Sequence, residues 1–80
     1  MISEIDISPD ATERMRRYEI SEQLVRRTVD HADQVSDTYE GRKIYQKRMD
    51  NHILRVIVEE YKGQRKIITV YPAKAERYVV

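Results

Sequence analysis

Arginine, lysine and tyrosine side chains in the second half of the chain are the residues best suited to chemistry. Together these residue types can bind a phosphate, stack on a base and transfer a proton. Cleavage of RNA by its own 2′-hydroxyl needs a group that takes the hydroxyl proton, cations that stabilise the charge developing on phosphorus, and an acid for the leaving oxygen. The alternative is a solvated surface, because the same residue types cover any small basic sheet. The candidates are Arg42, Lys43, Tyr45, Lys47, Arg48, Arg55, Tyr71, Lys74, Arg77 and Tyr78.

Other common kinds of site are missing from the sequence. Gly41 and Gly63 are the only glycines and lie in different predicted turns, which excludes the glycine-rich phosphate loops of dinucleotide and triphosphate enzymes. The absence of cysteine excludes disulfides, thiolate nucleophiles and sulfur-ligated metals. His31 and His52 lack the spacing of metal ligands, so we expect neither a metal nor any other cofactor.

The length of 80 residues predicts a single domain over residues 1–80. Charge is distributed unevenly along this chain. The net charge is +1, but residues 1–40 contain ten acidic and five basic residues, whereas residues 41–80 contain four acidic and ten basic residues. The first half is predicted to form helices and the second half strands, so the sheet should be positive and the helical layer mildly acidic. Either the two layers neutralise each other at their contact, or the basic sheet binds phosphates.

No part of the sequence indicates a membrane segment. The first residues, Met1–Asp6, are acidic with isolated apolar side chains, which is unlike a targeting peptide. No apolar stretch approaches the length that spans a bilayer. We therefore expect a cytoplasmic protein with no membrane partner.

The most apolar run in the chain, Ile53–Tyr61, is rich in β-branched residues and predicts a central strand. Successive side chains of a strand point to opposite faces of the sheet, and here both faces carry apolar residues, so each face needs at least partial cover. One face carries Leu54, Val56 and Val58, and the other carries Ile53, Ile57 and Tyr61.

Two further strands are predicted to flank this central strand. Tyr39–Met49 precedes it through a short polar turn, and Lys66–Tyr71 follows it after a turn over Lys62–Arg65. Pro72 is expected to end the last strand, because proline cannot donate to the ladder of hydrogen bonds. These short connections predict a three-stranded antiparallel meander.

The first half of the chain predicts two helices. Ser8 followed by Pro9 is typical of a helix start, and Ser21 begins a second helix after a short break. Ile2–Ile7 predicts either a short edge strand or an extended lead-in, and Asp33–Thr38 predicts a polar crossing to the sheet. The expected fold is α+β, with the helices packed on one face of the sheet.

Several local phrases, spread over about residues 5–78, follow the pattern of a known family. They are Ser8-Pro9-Asp10-Ala11 with Arg14-Met15, Ile20-Ser21 with Val25, Gly41-Arg42 with Tyr45, Leu54–Glu60, and Ile68-Thr69-Val70-Tyr71-Pro72. The chain thereby resembles a small bacterial and archaeal domain-of-unknown-function family near the BrnT-like and RelE/ParE-like toxins. The resemblance implies a strand, two helices and an antiparallel sheet. It also implies a toxin-like, metal-independent ribonuclease of a toxin–antitoxin pair, with an antitoxin as the protein partner.

Two positions depart from the pattern of that family. Its members commonly show Ser-x-His-Ala with an arginine eight residues after the histidine, and here Asp10 and Tyr18 occupy those positions. An aspartate in the first turn of a helix is explained by the helix dipole, so Asp10 is interpreted as a structural substitution and not as a replacement catalyst. The chain is either a protein that never used that histidine for chemistry or a non-catalytic relative.

The resemblance and the residue types together suggest roles for the candidate residues. Four residues match the family, namely Arg14, Arg55, Thr69 and Tyr71. The C-terminal candidates Arg77 and Tyr78 resemble basic and aromatic residues near the C-terminus of RelE-like toxins. The alternative function is a non-enzymatic protein-interaction module or homodimer that uses the basic sheet or an exposed strand edge. For the ribonuclease, the expected catalytic residues are Arg55, Tyr71, Arg77 and Tyr78, and the expected RNA phosphate-binding residues are Arg42, Lys43, Lys47, Arg48 and Lys74.

Overall fold

The expected α+β class is confirmed by the computed structural model, which describes residues 5–38 and 40–74. Its elements in chain order are β1 (Ile5–Ile7), α1 (Pro9–Arg17), α2 (Glu22–Asp30), β2 (Gln34–Asp37), β3 (Arg42–Met49), β4 (His52–Tyr61) and β5 (Gln64–Lys74). The strands form one mixed sheet in the order β1-β5-β4-β3-β2. β1 is parallel to β5, and the other neighbouring strands are antiparallel.

The predicted meander forms the centre of this sheet. β4 lies between β3 and β5 and pairs with both along its length. Its apolar run is the reason for this position, because Leu54, Val56 and Val58 are buried under the helices while Ile53 is buried on the opposite face. A strand with apolar side chains on both faces is most stable at the middle of a sheet.

The sheet has five strands and is larger than the predicted three-stranded meander, because each edge of the meander carries one more strand. Ile5–Ile7 is a strand, as one of the two interpretations of that segment predicted, while Ile2 lies outside the described residues. The predicted polar crossing contains β2, which pairs with β3. An edge strand with solvent on both faces needs no apolar alternation, and Val35 on β2 is indeed 49% exposed.

Strand boundaries also differ from the prediction. β5 continues through Pro72 to Lys74, so the expected stop at the proline is wrong. β1 pairs only with Arg65–Ile67, so among the described strands β5 has no outer neighbour at Pro72, and the missing N–H is tolerated there. At the other end of the meander, Tyr39 lies outside the described residues and β3 begins at Arg42.

Each helix begins after the serine that the sequence predicts as its cap. Ser8 caps α1 by accepting a hydrogen bond from the Ala11 amide at 3.0 Å, and Ser21 caps α2 through the Leu24 amide at 3.1 Å. Both helices are nine residues long. Neither of these described helices has the length and apolar character that crossing a bilayer requires.

The hydrophobic core lies between the helices and one face of the sheet. α1 contributes Ala11 and Met15, which are buried, and α2 contributes Val25 and Val29. On the sheet side the core includes Tyr45 on β3 together with Leu54, Val56, Val58, Ile67 and Val70. The two helices therefore cover one face of the sheet and leave the central strands without a described helix on the other.

Candidate functional site

The face of the sheet opposite the helices, named the open face here, holds the residues with chemical potential. Strand alternation and the observed register determine which side chains lie on it, because every second residue of a strand points to the same face. Among the described residues, no helix packs on this face. Its members are Arg42, Ile44, Gln46 and Arg48 on β3, Ile53, Arg55, Ile57, Glu59 and Tyr61 on β4, and Thr69, Tyr71 and Ala73 on β5.

A hydrogen-bonded pair, Arg55 and Tyr71, lies at the centre of the open face. The two residues are opposite each other on β4 and β5, and both are half-buried. Arg55 donates from Nη1 to the Tyr71 hydroxyl at 2.8 Å, and its Cζ lies 5.6 Å from the centroid of the Tyr71 ring. The phenol oxygen thus accepts from a cation, and its own proton can be donated to another acceptor.

Gln46 extends this pair into a row across three strands. It lies opposite Arg55 on β3 and is only 4% exposed. Gln46 is not among the candidates predicted from the sequence, because those candidates are all charged or aromatic residues. Alternation along β3 was the available signal, since Gln46 is two residues from Arg48 and therefore shares its face.

A second row of paired residues lies beside this row, and it consists of two apolar side chains and one side chain with a buried hydroxyl. Ile44, Ile57 and Thr69 are directly paired across β3, β4 and β5, and all three are half-buried. The Thr69 Oγ1 atom is buried and has no hydrogen-bond partner within residues 5–38 and 40–74. A buried hydroxyl without such a partner is uncommon in a folded domain.

Two of the predicted phosphate-binding residues lie on the same face as Arg55 and Tyr71. Arg42 is near one end of β3, where its Nε lies 3.9 Å from Oε2 of Glu59. Arg48 is near the other end, and its side chain is exposed while its backbone amide donates to the Asp33 carboxylate at 2.7 Å. A cation therefore lies on each side of the central row.

The predicted lysines lie on the other face of the sheet. Lys43 forms an ion pair with Glu60 at 3.7 Å, and Lys47 donates from Nζ to the His31 carbonyl at 3.3 Å at the end of α2. Lys74 is opposite His52, in the same alternation as Leu54. The structure therefore brings none of these three lysines together with Arg55 and Tyr71. Arg77 and Tyr78 lie outside the described residues.

The positions that depart from the family pattern lie in the helical layer, away from the open face. Asp10 is in the first turn of α1 and pairs with Arg14 at 3.2 Å, as expected for a structural aspartate near a helix start. Tyr18 is the C-terminal cap residue of α1. In the same helix, the hydrogen bond and negative charge of Glu13 raise the pKa of Arg17. These groups contact solvent and not the row around Arg55.

The chemistry available on the open face is that of cations, amides and hydroxyls. His31 and His52 are both exposed. His31 is the C-terminal cap residue of α2, and His52 is the first residue of β4. No group of three or more histidine, cysteine, aspartate or glutamate side chains is gathered as a metal site in the part of the chain that the structure describes. A guanidinium with a bonded phenol can bind a phosphate and deliver a proton to one of its oxygens.

Comparison with known proteins gives one finding. The model of the family described as Domain of unknown function (DUF4258) matches residues 7–72 of the chain. No curated protein and no solved structure matches the chain significantly. The matched region includes both helices, the whole of β2, β3 and β4, and the Arg55–Tyr71 pair.

Proposed function

The chain belongs to the DUF4258 family of domains of unknown function, and from its own residues we propose a toxin-like ribonuclease that cleaves RNA without a metal ion. The observation that carries the proposal is the hydrogen bond from Arg55 to Tyr71 on a face that also holds Arg42 and Arg48. A likeness to the RelE and BrnT toxins, with an antitoxin as protein partner, is part of the proposal. It rests on the sequence resemblance.

The proposed reaction is attack of a ribose 2′-oxygen on the adjacent phosphorus. The new bond joins the 2′-oxygen to phosphorus, the bond from phosphorus to the 5′-oxygen breaks, and the products are a 2′,3′-cyclic phosphate and a 5′-hydroxyl. Tyr71 donates its proton to the departing 5′-oxygen. Arg55 stabilises the charge on the non-bridging oxygens through its guanidinium.

The rest of the open face would hold the RNA strand on either side of the bond that is cleaved. Arg42 and Arg48 bind neighbouring phosphates. Solvent water accepts the proton of the 2′-hydroxyl as its oxygen attacks phosphorus, and Arg77 and Tyr78 stay predictions for charge stabilisation and proton transfer. The lysines of the helical face have no direct contact with substrate in this arrangement.

The experiment that tests the proposal follows cleavage of single-stranded RNA in EDTA by the wild-type protein, Tyr71→Phe and Arg55→Lys. Tyr71→Phe keeps the ring and removes the donor, so the rate should fall about 10²–10⁴-fold. Arg55→Lys keeps the charge and loses the guanidinium fork, and should also be impaired. Tyr18→Phe makes the same change as Tyr71→Phe in the helical layer and should retain the wild-type rate.

Two further measurements make this test decisive. A substrate with a 2′-deoxy sugar at the cleavage position should resist the wild-type protein, because the nucleophile is absent. Induced expression in a bacterial host should arrest growth and cleave total RNA with the wild type but not with Tyr71→Phe. Intact RNA in both settings, from a folded wild-type protein, would identify the chain as a non-catalytic relative.

A second candidate function is a protein-interaction module, and the edge strand β2 favours it. β2 has no described neighbour on its outer side, and Val35 is exposed on it. An edge of this kind can add a strand from a partner or from a second copy of the chain. Association that is lost on changing Val35→Pro, with RNA cleavage absent, would favour this function over the ribonuclease.

A further inference from the structure

One aromatic side chain on the open face takes no part in the proposed cleavage. Tyr61 is the last residue of β4 and is 70% exposed. The ammonium group of Lys62 lies 5.4 Å from the centroid of its ring. A large aromatic ring this exposed is available to contact a bound molecule through its apolar face.

The surroundings of Tyr61 form a small open site. Tyr61 lines a depression of about 450 Å³ together with Glu60, Lys62, Gly63 and Arg65. This volume is in the range of clefts that hold small ligands. The turn residues Lys62 and Gly63 both have positive φ, at 51° and 79°, as in the tight type I′ hairpin turns whose twist matches that of the flanking strands. The ring is therefore presented from a short and well-defined hairpin.

The position of Tyr61 relative to Arg55 connects this site with the cleavage site. Both residues are on β4, six positions apart, and alternation places them on the open face. At about 3.3 Å per residue the separation is roughly 20 Å, which a few nucleotides of single-stranded RNA can span. Glu59, which lies between them, is paired with Arg42, so the negative charge on this path is partly offset.

We propose that Tyr61 is a stacking platform for one base of a single-stranded RNA that also lies across Arg55 and Tyr71. Lys62, the next residue in the turn, contacts the phosphate beside that base. Stacking on an aromatic ring accepts any base, which suits a protein that holds unpaired RNA. This site rests on the proposed function for its substrate, but it requires only binding and not cleavage.

The test uses a 2′-O-methyl RNA of about ten nucleotides, a length typical of single-strand binding sites, because it cannot be cleaved. It carries 2-aminopurine at successive positions, and the fluorescence of this base falls when it stacks. At one position the wild-type protein should quench the fluorescence. Tyr61→Leu should abolish that quenching and weaken binding about 5- to 100-fold.

Matched variants separate stacking from other effects. Tyr61→Phe keeps the ring and should retain both quenching and affinity. Tyr18→Leu removes another exposed tyrosine, the C-terminal cap residue of α1, and should change neither. Because Tyr61 is uncharged, Tyr61→Leu should also leave the salt dependence of binding unchanged.

The outcomes are distinct from those of the cleavage test. Wild-type quenching and affinity in Tyr61→Leu would overturn the stacking site even if Tyr71→Phe abolishes cleavage. Quenching lost in Tyr61→Leu alone would support the site even if the wild-type protein cleaves nothing. If the wild-type protein does not bind the oligonucleotide, the stacking site is wrong. If Tyr61→Leu instead changes only self-association, measured by light scattering on the same samples, Tyr61 belongs to a protein interface and the stacking site is again wrong.

Discussion

At the scale of single residues, Ser8 makes more contacts than a helix cap requires. Besides accepting from the Ala11 amide, its hydroxyl donates to the Ile68 carbonyl at 2.6 Å, and its own amide donates to the Ile67 carbonyl at 2.9 Å. The pairing of β4 with β5 shifts register at this point, where Val58 pairs with Ile67 and Ile57 with Thr69, so Ile68 is the extra residue of a bulge. Ser8 thus attaches α1 to the irregular point of β5.

Ser8→Ala should lower the free energy of unfolding by about 2 kcal/mol, because it removes the cap and leaves the Ile68 carbonyl without its donor. Urea denaturation followed by circular dichroism measures this change. Ser21→Ala is the matched control, since the Ser21 hydroxyl serves one exposed amide, and it should cost about 0.5–1 kcal/mol. Equal losses in the two variants would show that the contact with Ile68 contributes nothing.

At the scale of elements, the end of α1 has the hydrogen bonds of a Schellman motif. The Ile20 amide donates to the Met15 carbonyl at 2.7 Å, and the Glu19 amide donates to the Arg16 carbonyl at 3.3 Å. Glu19 occupies the left-handed position of the motif with φ of 55°, where glycine is usual. A side chain in this conformation is strained by contact between its Cβ and the backbone.

Glu19→Gly should raise the free energy of unfolding by about 0.5–1 kcal/mol, because relief of this strain outweighs the extra freedom of glycine in the unfolded chain. Thermal unfolding, compared with wild type under the same conditions, measures the gain as a higher midpoint temperature. Glu19→Ala removes the same carboxylate and keeps the Cβ, so it should give no gain. A gain of equal size in Glu19→Ala would assign the effect to charge.

Elements with a strong local signal could be predicted from the sequence. The caps Ser8 and Ser21 located both helices, and the β-branched run of β4 located the centre of the sheet. β2 could not be predicted, because Gln34–Asp37 has solvent on both faces and gains its strand conformation from pairing with β3. The continuation of β5 through Pro72 could not be predicted for the same reason. It depends on β1 pairing with β5 only at Arg65–Ile67, and the pairing of strands is a property of the tertiary structure.

The residue types of the candidate site could be predicted from the sequence. The prediction did not separate those residues according to the face of the sheet on which they lie. Arg55 and Tyr71 were both predicted as catalytic residues, and a hydrogen bond joins their side chains. Lys43 and Lys47 were grouped with the arginines of β3, although alternation along this one strand already separates them. The pairing of Gln46 with Arg55 required the register of β3 on β4, which composition and periodicity do not specify.

At the scale of the whole molecule, the two faces of β3 carry equal positive charge in different surroundings. Arg42 and Arg48 lie on the open face, whereas Lys43 and Lys47 lie on the helical face and contact Glu60 and the end of α2. All four residues would attract RNA at long range. Only residues that touch phosphates release counterions on binding, and that release determines the slope of log K against log salt concentration.

The double variants Arg42→Gln/Arg48→Gln and Lys43→Gln/Lys47→Gln remove the same charge from opposite faces. The arginine variant should reduce the salt slope for single-stranded RNA by about 1.4, because each lost phosphate contact is worth about 0.7. The lysine variant should keep the wild-type slope and lose affinity only modestly, through the weaker overall field. Fluorescence anisotropy of a labelled RNA over a range of salt concentrations measures both slopes, with folding of each variant checked by circular dichroism. A larger change of slope in the lysine variant would place the RNA on the helical face and would contradict an open-face site.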